Sequence, residues 1–239
     1  MRISKSKINT YKKCPREFKY IYVDSFESEP NEYMQLGLDV HKIAENVGNI
    51  LKDRSDIVED DIIDAFERSY IESKFDITKH MENLFFFFKD VINEGYIIFG
   101  VEDYIYDKEH NINGIIDIIL EDPDDGDLII IDYKTSKSKA ITDYRLELCM
   151  YRTLIEHKYP SKTVSSAAIF FTKDGNYRGL NFSNDKKKGS YITDEDYQSV
   201  FEYIDFVEKQ ISNEIFPPKK QFLCKYCAFQ EQCNNDGGF

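Results

Sequence analysis

The chain has 239 residues, 41% hydrophobic and 15% aromatic, with only 11 Gly and 6 Pro, the composition of an ordered globule long enough for one large domain or two small ones. Its apolar runs, such as the one ending in Phe85-Phe86-Phe87-Phe88, fall far short of the roughly 20 residues that cross a bilayer. A net charge of -13 excludes a protein that coats nucleic acid through its overall field.

The amino-terminal segment, Met1-Arg2-Ile3-Ser4-Lys5-Ser6-Lys7, is polar and has no apolar stretch of the secretory kind, so a cytoplasmic location is expected. Positive charge is clustered: residues 1 to 19 carry Arg2, Lys5, Lys7, Lys12, Lys13, Arg16 and Lys19 against Glu17. Further clusters are Lys134, Lys137 and Lys139, then Lys186-Lys187-Lys188, then Lys219, Lys220 and Lys225. Any of them is able to touch phosphate, although a short run of charge is more often a solvated face.

A first helix is expected from Ser4, its N-cap, through Phe18, burying Ile8, Tyr11 and Phe18, with Cys14 near its end. Apolar periodicity predicts further helices over Leu36 to Leu51, Glu59 to Lys74 and Thr78 to Asn93, the last carrying the four phenylalanines into the core, with Gly95 as a break. From Tyr96 the pattern turns to strands, at 96 to 106, 112 to 120 and 127 to 134, forming a meander. Pro123-Asp124-Asp125-Gly126 is turn chemistry, and a four-residue loop there pairs residue 122 with 127 and hence Asp117 with Asp132. A helix from Thr142 to His157 follows, then strands near 165 to 172 and 177 to 182, and a long helix capped by Thr193 that runs towards Asn213 and is stopped by Pro217-Pro218.

In Asp132-Tyr133-Lys134 the acid and the lysine share one face of a strand while Tyr133 points to the other. An isolated Asp-x-Lys is usually a surface ion pair. Here the hairpin register sets Asp117 across from Asp132 with Cβ atoms roughly 5 Å apart, and two opposed carboxylates are tolerable when a hard divalent cation such as Mg²⁺ or Mn²⁺ lies between them. Such a cation polarises a phosphate oxygen and activates water, and Lys134 positions that water or stabilises developing charge, which is the equipment for phosphodiester hydrolysis.

Four motifs in order then resemble the RecB-like branch of the PD-(D/E)xK nucleases, which includes AddB nuclease domains and the CRISPR-associated Cas-four nucleases. They are Gly37-Leu38-Asp39-Val40-His41, Gly114 to Asp117, Asp132-Tyr133-Lys134 and Glu147-Leu148-Cys149-Met150-Tyr151. The resemblance implies an α/β, restriction-endonuclease-like core with a central mixed sheet flanked by helices. It implies that His41, Asp117, Asp132 and the Tyr133 carbonyl hold metal and that Lys134 is catalytic; Tyr151, Glu147 and Lys137 are expected to meet the substrate, with the basic amino-terminal segment and Lys137 or Lys139 near the phosphate path. Glu147 stands where the family has Gln, with Tyr151 one helical turn on; a carboxylate there either adds a metal ligand or repels phosphate. Glu45, one turn after His41, is expected to be exposed.

Cys224-Lys225-Tyr226-Cys227 with Cys233 forms C-x2-C-x5-C, and Cys14 lies far upstream. Thiols so spaced in a reducing compartment read as metal ligands, for zinc or for an iron-sulfur cluster; Cys149 reads as a buried hydrophobe. The family resemblance implies a 4Fe-4S cluster on Cys14, Cys224, Cys227 and Cys233, with a structural role. The expected organisation is a single nuclease domain over 1–239, with a helical portion at 1–95, the nuclease core at 96–214 and an iron-sulfur tail at 215–239 closed by Cys14. No G-x4-G-K-[ST] motif is present, so any unwinding needs a partner. The expected function is metal-dependent cleavage of DNA, from ends or on single strands, by a phage- or prokaryote-encoded enzyme acting with a helicase or with a recombination or CRISPR-adaptation protein. The competing expectation is a catalytically inactive DNA-end-binding or assembly protein that keeps the fold. A zinc-ribbon module joined to an unrelated helical domain leaves the four ordered motifs unexplained.

Overall fold

A computed structural model describes residues 1–27, 32–52, 54, 56–182 and 191–238; the Lys186-Lys187-Lys188 cluster lies outside them. In chain order the elements are β1 (Ile3–Ser4), α1 (Lys5–Lys13), α2 (Pro15–Tyr22), α3 (Glu32–Leu51), α4 (Glu59–Arg68), α5 (Thr78–Asn93), β2 (Ile97–Asp107), β3 (Ile112–Glu121) and β4 (Leu128–Lys134). They continue with a 3-10 turn at Ile141–Tyr144, α6 (Arg145–Lys158), β5 (Val164–Phe171), β6 (Asn176–Phe182), β7 (Tyr191–Ile192), α7 (Asp194–Ser212), a 3-10 turn at Phe222–Tyr226 and α8 (Gln230–Asn235). No helix among the described residues is long and apolar enough to cross a membrane.

The chain folds as two compact units, Asn31–Asp196 and Met1–Pro30 with Tyr197–Phe239. The first holds a mixed sheet of β2, β3, β4, β5, β6 and β7 in that order. The pairs β2–β3, β3–β4 and β5–β6 are antiparallel, and β4–β5 and β6–β7 are parallel. The meander of β2, β3 and β4 is therefore the expected one, and α6 supplies the crossover that a parallel β4–β5 pair needs. Helices α3, α4 and α5 pack on this sheet through Val40, Ile43, Val47, Ile62, Leu84, Phe87 and Phe88 against Ile118, Leu120, Ile131, Tyr133 and Phe170. The architecture is α/β, a mixed sheet flanked by helices.

Turn chemistry sets the register of the β3–β4 hairpin. Asp122 N–H donates to the Asp127 carbonyl at 2.9 Å, and Gly126, at φ +75°, takes the left-handed conformation that closes the loop. The ladder then pairs Glu121 with Leu128 and Ile118 with Ile131, so Asp117 and Asp132 are the next pair, where the two strands part.

Three expectations need correction. The first helix is two: Pro15 has no N–H to donate and starts α2, while Cys14 between them is extended, at φ -159° and ψ 112°. Helix α4 stops at Arg68 rather than Lys74: the Ser69 N–H is shared between the Ala65 and Phe66 carbonyls in a tightened last turn, and farther on the Ser73 hydroxyl donates to Asp39 at 2.6 Å and accepts from Phe75 N–H in a side-chain turn. Of the four phenylalanines only Phe87 and Phe88 enter the core fully, since successive helical residues turn by about 100°, and Phe86 is 57% exposed. Helix α7 is capped as expected: Thr193 Oγ1 accepts from Asp196 N–H at 3.1 Å. It ends at Ser212, before the prolines, with Glu214 in the left-handed region at φ 55°.

In the second unit the Tyr11 hydroxyl donates to the Ile215 carbonyl at 2.7 Å, and Phe18 stacks on Phe216 at 6.0 Å. The Tyr20 hydroxyl donates to Asp236 at 2.8 Å. The segments before residue 30 and after residue 197 are thus one packed body.

Candidate active site

The site lies where β3 and β4 diverge. Freed from its ladder partner, the Tyr133 N–H donates to Asp117 Oδ2 at 2.6 Å, which draws that carboxylate into the gap between the strands. Asp117 and Asp132 are both buried, at 8% and 2% exposure. Burial alone raises a carboxyl pKa; at Asp117 it is overridden by the His41 and Lys134 charges and the Tyr133 N–H, which hold the group below the usual carboxylate range.

His41 reaches the same place from α3. Its Nδ1 lies 3.5 Å from Asp117 Oδ1 and 3.9 Å from Glu102 Oε1. Burial pulls the imidazolium pKa down, yet Asp117, Glu102 and Asp132 hold it at about 10, so in the metal-free protein His41 is charged at neutral pH and, with Lys134, offsets these acids. His41, Glu102 and Asp117 are the one set of three or more metal-ligating side chains, among the described residues, whose ligand atoms all lie within 4.8 Å of one another.

Glu102 is the residue that the sequence reading missed. It is a non-glycine residue with φ 44°, flanked by the pairs Val101–Ile118 and Asp103–Ile116, so it stands across from Asp117. A signal was available. The pairing of Asp107 with Ile112 leaves a four-residue loop, and the arithmetic that matched Asp117 with Asp132, applied to this earlier hairpin, matches Asp117 with Glu102.

Lys134 forms ion pairs with Asp132 and with Glu147 Oε1, the latter at 3.2 Å. Glu147, at 3% exposure, comes from α6, and its Oε1 also accepts from the Tyr151 hydroxyl at 3.4 Å. The Glu147 carboxylate thus holds the lysine. Burial, with Asp132, Asp117 and Glu102 nearby, pushes the Tyr151 hydroxyl pKa well above its ordinary value, so it remains a donor. The Tyr133 ring points to the other side of the strand, as expected, against Phe87 at 5.4 Å; its hydroxyl is buried and has no hydrogen-bond partner. Lys137 is in the exposed loop after β4, where its charge acts on Asp174, and it is not part of the cluster. Glu45, expected to be exposed, is instead half-buried and pairs with Lys42 at 2.8 Å.

Two features hold the scaffold. Thr172, fully buried, donates to the Lys134 carbonyl through its N–H at 2.9 Å and its hydroxyl at 3.3 Å; the same hydroxyl meets His80 Nδ1 at 2.7 Å. Gly114 lets α6 approach β3: a Cβ there would stand 2.9 Å from Leu154 Cδ1 and 3.0 Å from Tyr151 Cε1. We expect Gly114→Ala to lose about 1–3 kcal/mol in urea unfolding, the usual cost of overpacking, and to shift Tyr151. Unchanged stability would mean that α6 recedes freely.

In the other unit, Cys14, Cys224, Cys227 and Cys233 line one cavity of about 200 Å³. Their sulfurs do not gather within 4.8 Å of one another. Burial, reinforced by the neighbouring thiols, pushes Cys233 up, and burial pushes Cys227 up. Cys149 is buried, as expected, and its thiol is raised to about 12 by burial.

A family model described as the PD-(D/E)XK nuclease superfamily matches residues 2–234. No curated protein sequence matches the chain. Among solved structures, a proposed exonuclease from Eubacterium rectale is similar at a TM-score of 0.49 and 10% identity, over 96% of this chain and 86% of that one.

Proposed function

Because the chain belongs to the PD-(D/E)XK nuclease superfamily, whose members hydrolyse phosphodiesters with divalent metals, we propose that it is a metal-dependent deoxyribonuclease acting at ends or on single strands. The observation that carries this reading is the convergence of His41, Glu102, Asp117, Asp132 and Lys134 at the parting of β3 and β4.

The donor set suits a hard cation: carboxylate oxygens and an imidazole, with an excess of acid over base. Asp117, Asp132, Glu102, Glu147, His41 and Lys134 together are net negative even with both bases protonated, and a phosphodiester is repelled from such a place until the charge is offset. Asp117, Asp132, His41, Glu102 and the Tyr133 carbonyl are the groups that would hold Mg²⁺ or Mn²⁺, which when bound polarises a phosphate oxygen and lowers the pKa of its water. Lys134, steadied by Glu147, supplies positive charge to the phosphate as negative charge develops. Tyr151 fixes Glu147, and Lys137, on its exposed loop, contacts the strand beyond the cluster.

Wild type and Lys134→Ala are compared on end-labelled linear and circular DNA, single- and double-stranded, with Mg²⁺, Mn²⁺ or EDTA. Cleavage that needs metal and falls at least about a hundredfold in the variant supports the reading, and circular substrates report whether ends are needed. A wild type that binds DNA and never cuts transfers the protein to the DNA-end-binding or assembly class.

For the four cysteines we infer a 4Fe-4S cluster with a structural role. No three of these sulfurs stand within 4.8 Å of one another, whereas a tetrahedral zinc with Zn–S bonds of about 2.3 Å gathers four sulfurs roughly 3.8 Å apart. A cavity between them instead suits a larger group, and bound iron favours the thiolates that burial disfavours. Anaerobically purified protein is expected to contain iron and acid-labile sulfide, both lost in Cys233→Ala; zinc in their place rejects the cluster.

A further inference from the structure

The carboxy-terminal unit carries an exposed feature that the active site does not use. Phe222 and Tyr226, four residues apart on a 3-10 turn, are 75% and 71% exposed, with ring centroids 6.4 Å apart. Lys225 stands between them, its Nζ 4.1 Å from the Phe222 centroid and 4.7 Å from that of Tyr226. Apolar rings of this size are normally buried. Here a cation stands over both.

The chain segment that carries them holds charge of one sign. From Ile215 through Gln230 there is no acidic residue, while Lys219, Lys220 and Lys225 are all present, in a chain of net charge -13. The segment is also tied down. Lys219 Nζ donates to the Lys12 carbonyl at 3.0 Å, Gln221 Nε2 donates to the Lys13 carbonyl at 3.3 Å, and Cys227 N–H donates to the Cys224 carbonyl at 3.1 Å. The last basic turn of α1, with Lys12 and Lys13, is thereby brought beside it.

We propose that Phe222, Tyr226 and Lys225 form a stacking platform for unpaired bases of single-stranded DNA. Each ring offers a face to one base, and Lys225 with Lys219 and Lys220 follows the phosphates. Stacking on aromatic rings combined with a basic track is how single strands are held without sequence readout. A duplex keeps its base faces covered and gains only the phosphate contacts. The proposal rests on the nuclease reading only for the identity of the ligand.

Two measurements on the full chain test it, in EDTA so that no strand is cut. The protein has no Trp, so Phe222→Trp installs a single reporter at the platform. Titration with oligo(dT) is expected to quench it saturably, at least tenfold more tightly than a duplex of the same length, whereas inorganic phosphate leaves it unchanged. In anisotropy, Phe222→Ala with Tyr226→Ala is expected to weaken oligo(dT) binding roughly 30-fold or more. Lys225→Ala is expected to reduce the salt slope by about 0.7, one phosphate contact. Oligo(dT) that binds the Trp protein without quenching it, or equal quenching by duplex, overturns the platform, as does a partner protein that protects the rings in place of DNA. These outcomes separate from the nuclease reading: cleavage by wild type without quenching removes the platform alone, and quenching without cleavage under any metal removes the nuclease alone.

Discussion

Asp117→Asn is expected to lower Mg²⁺-supported cleavage roughly a thousandfold and to weaken metal binding at least about a hundredfold, while the fold persists. The amide oxygen of Asn still accepts from Tyr133 N–H, so the bond that seats residue 117 between the strands, 2.6 Å long in the native protein, survives. The charge does not. Asp117 is the carboxylate shared by every part of the cluster: it lies 3.5 Å from His41, stands across from Glu102, and faces Asp132 one pair beyond the ladder's end. A metal carboxylate supplies several kcal/mol to a transition state that accumulates negative charge, and each 1.4 kcal/mol is about tenfold in rate. Calorimetric titration with Mg²⁺ beside single-turnover cleavage separates the two losses. Full activity in the variant would move the metal away from the β3–β4 junction. Removing the charge also takes from His41 and Lys134 the carboxylate that their charges hold below its usual range, so a lower melting temperature for the metal-free variant at pH 7 accompanies the loss.

The second large effect is on pH. In the folded, metal-free protein the three acids hold the His41 imidazolium at about 10, whereas in the unfolded chain an ordinary histidine titrates near 6.5. A metal that takes His41 as a ligand must displace that proton. Between about pH 6.5 and 9 metal affinity should therefore rise close to tenfold per pH unit, roughly 300-fold over the window. Calorimetry in buffers of different ionisation enthalpy should count one proton released. The sign for stability is opposite. A raised pKa contributes stability that is fully present below about 6.5 and is lost as pH climbs through 10, so the metal-free protein weakens toward alkali while the metal-bound one does not. His41→Asn should flatten both slopes. A proton count of zero would place His41 outside the metal's ligands.

Much of this site is readable along the chain because it depends on short-range rules. The Pro123–Gly126 turn sets a register, the register pairs Asp117 with Asp132, and alternation adds Lys134 to the same face; all three follow from two-residue periodicity and from turn chemistry acting within about 20 residues. The break at Pro15 obeys a rule just as local, masked by the apolar spacing of Ile8, Tyr11 and Phe18, which holds across both helices.

Other features depended on side chains meeting across the fold. Glu102 was legible in register but not in composition, because one acid in a strand of mixed polarity carries no mark until a second hairpin places it beside Asp117 and His41. Glu147 was the open case. Sequence left it either a metal ligand or a source of repulsion, and only the approach of α6 over Gly114 sets it 3.2 Å from Lys134. The same holds for the four cysteines, whose spacing announced metal chemistry but whose arrangement around a cavity of about 200 Å³ is a property of the packed unit. By itself the sequence determined the elements, the hairpin register and the residue types of the site, since backbone geometry and turn preference act locally. Tertiary structure decided which charges face one another and which are buried, because Coulomb energy and desolvation depend on distance and surroundings that no local pattern encodes.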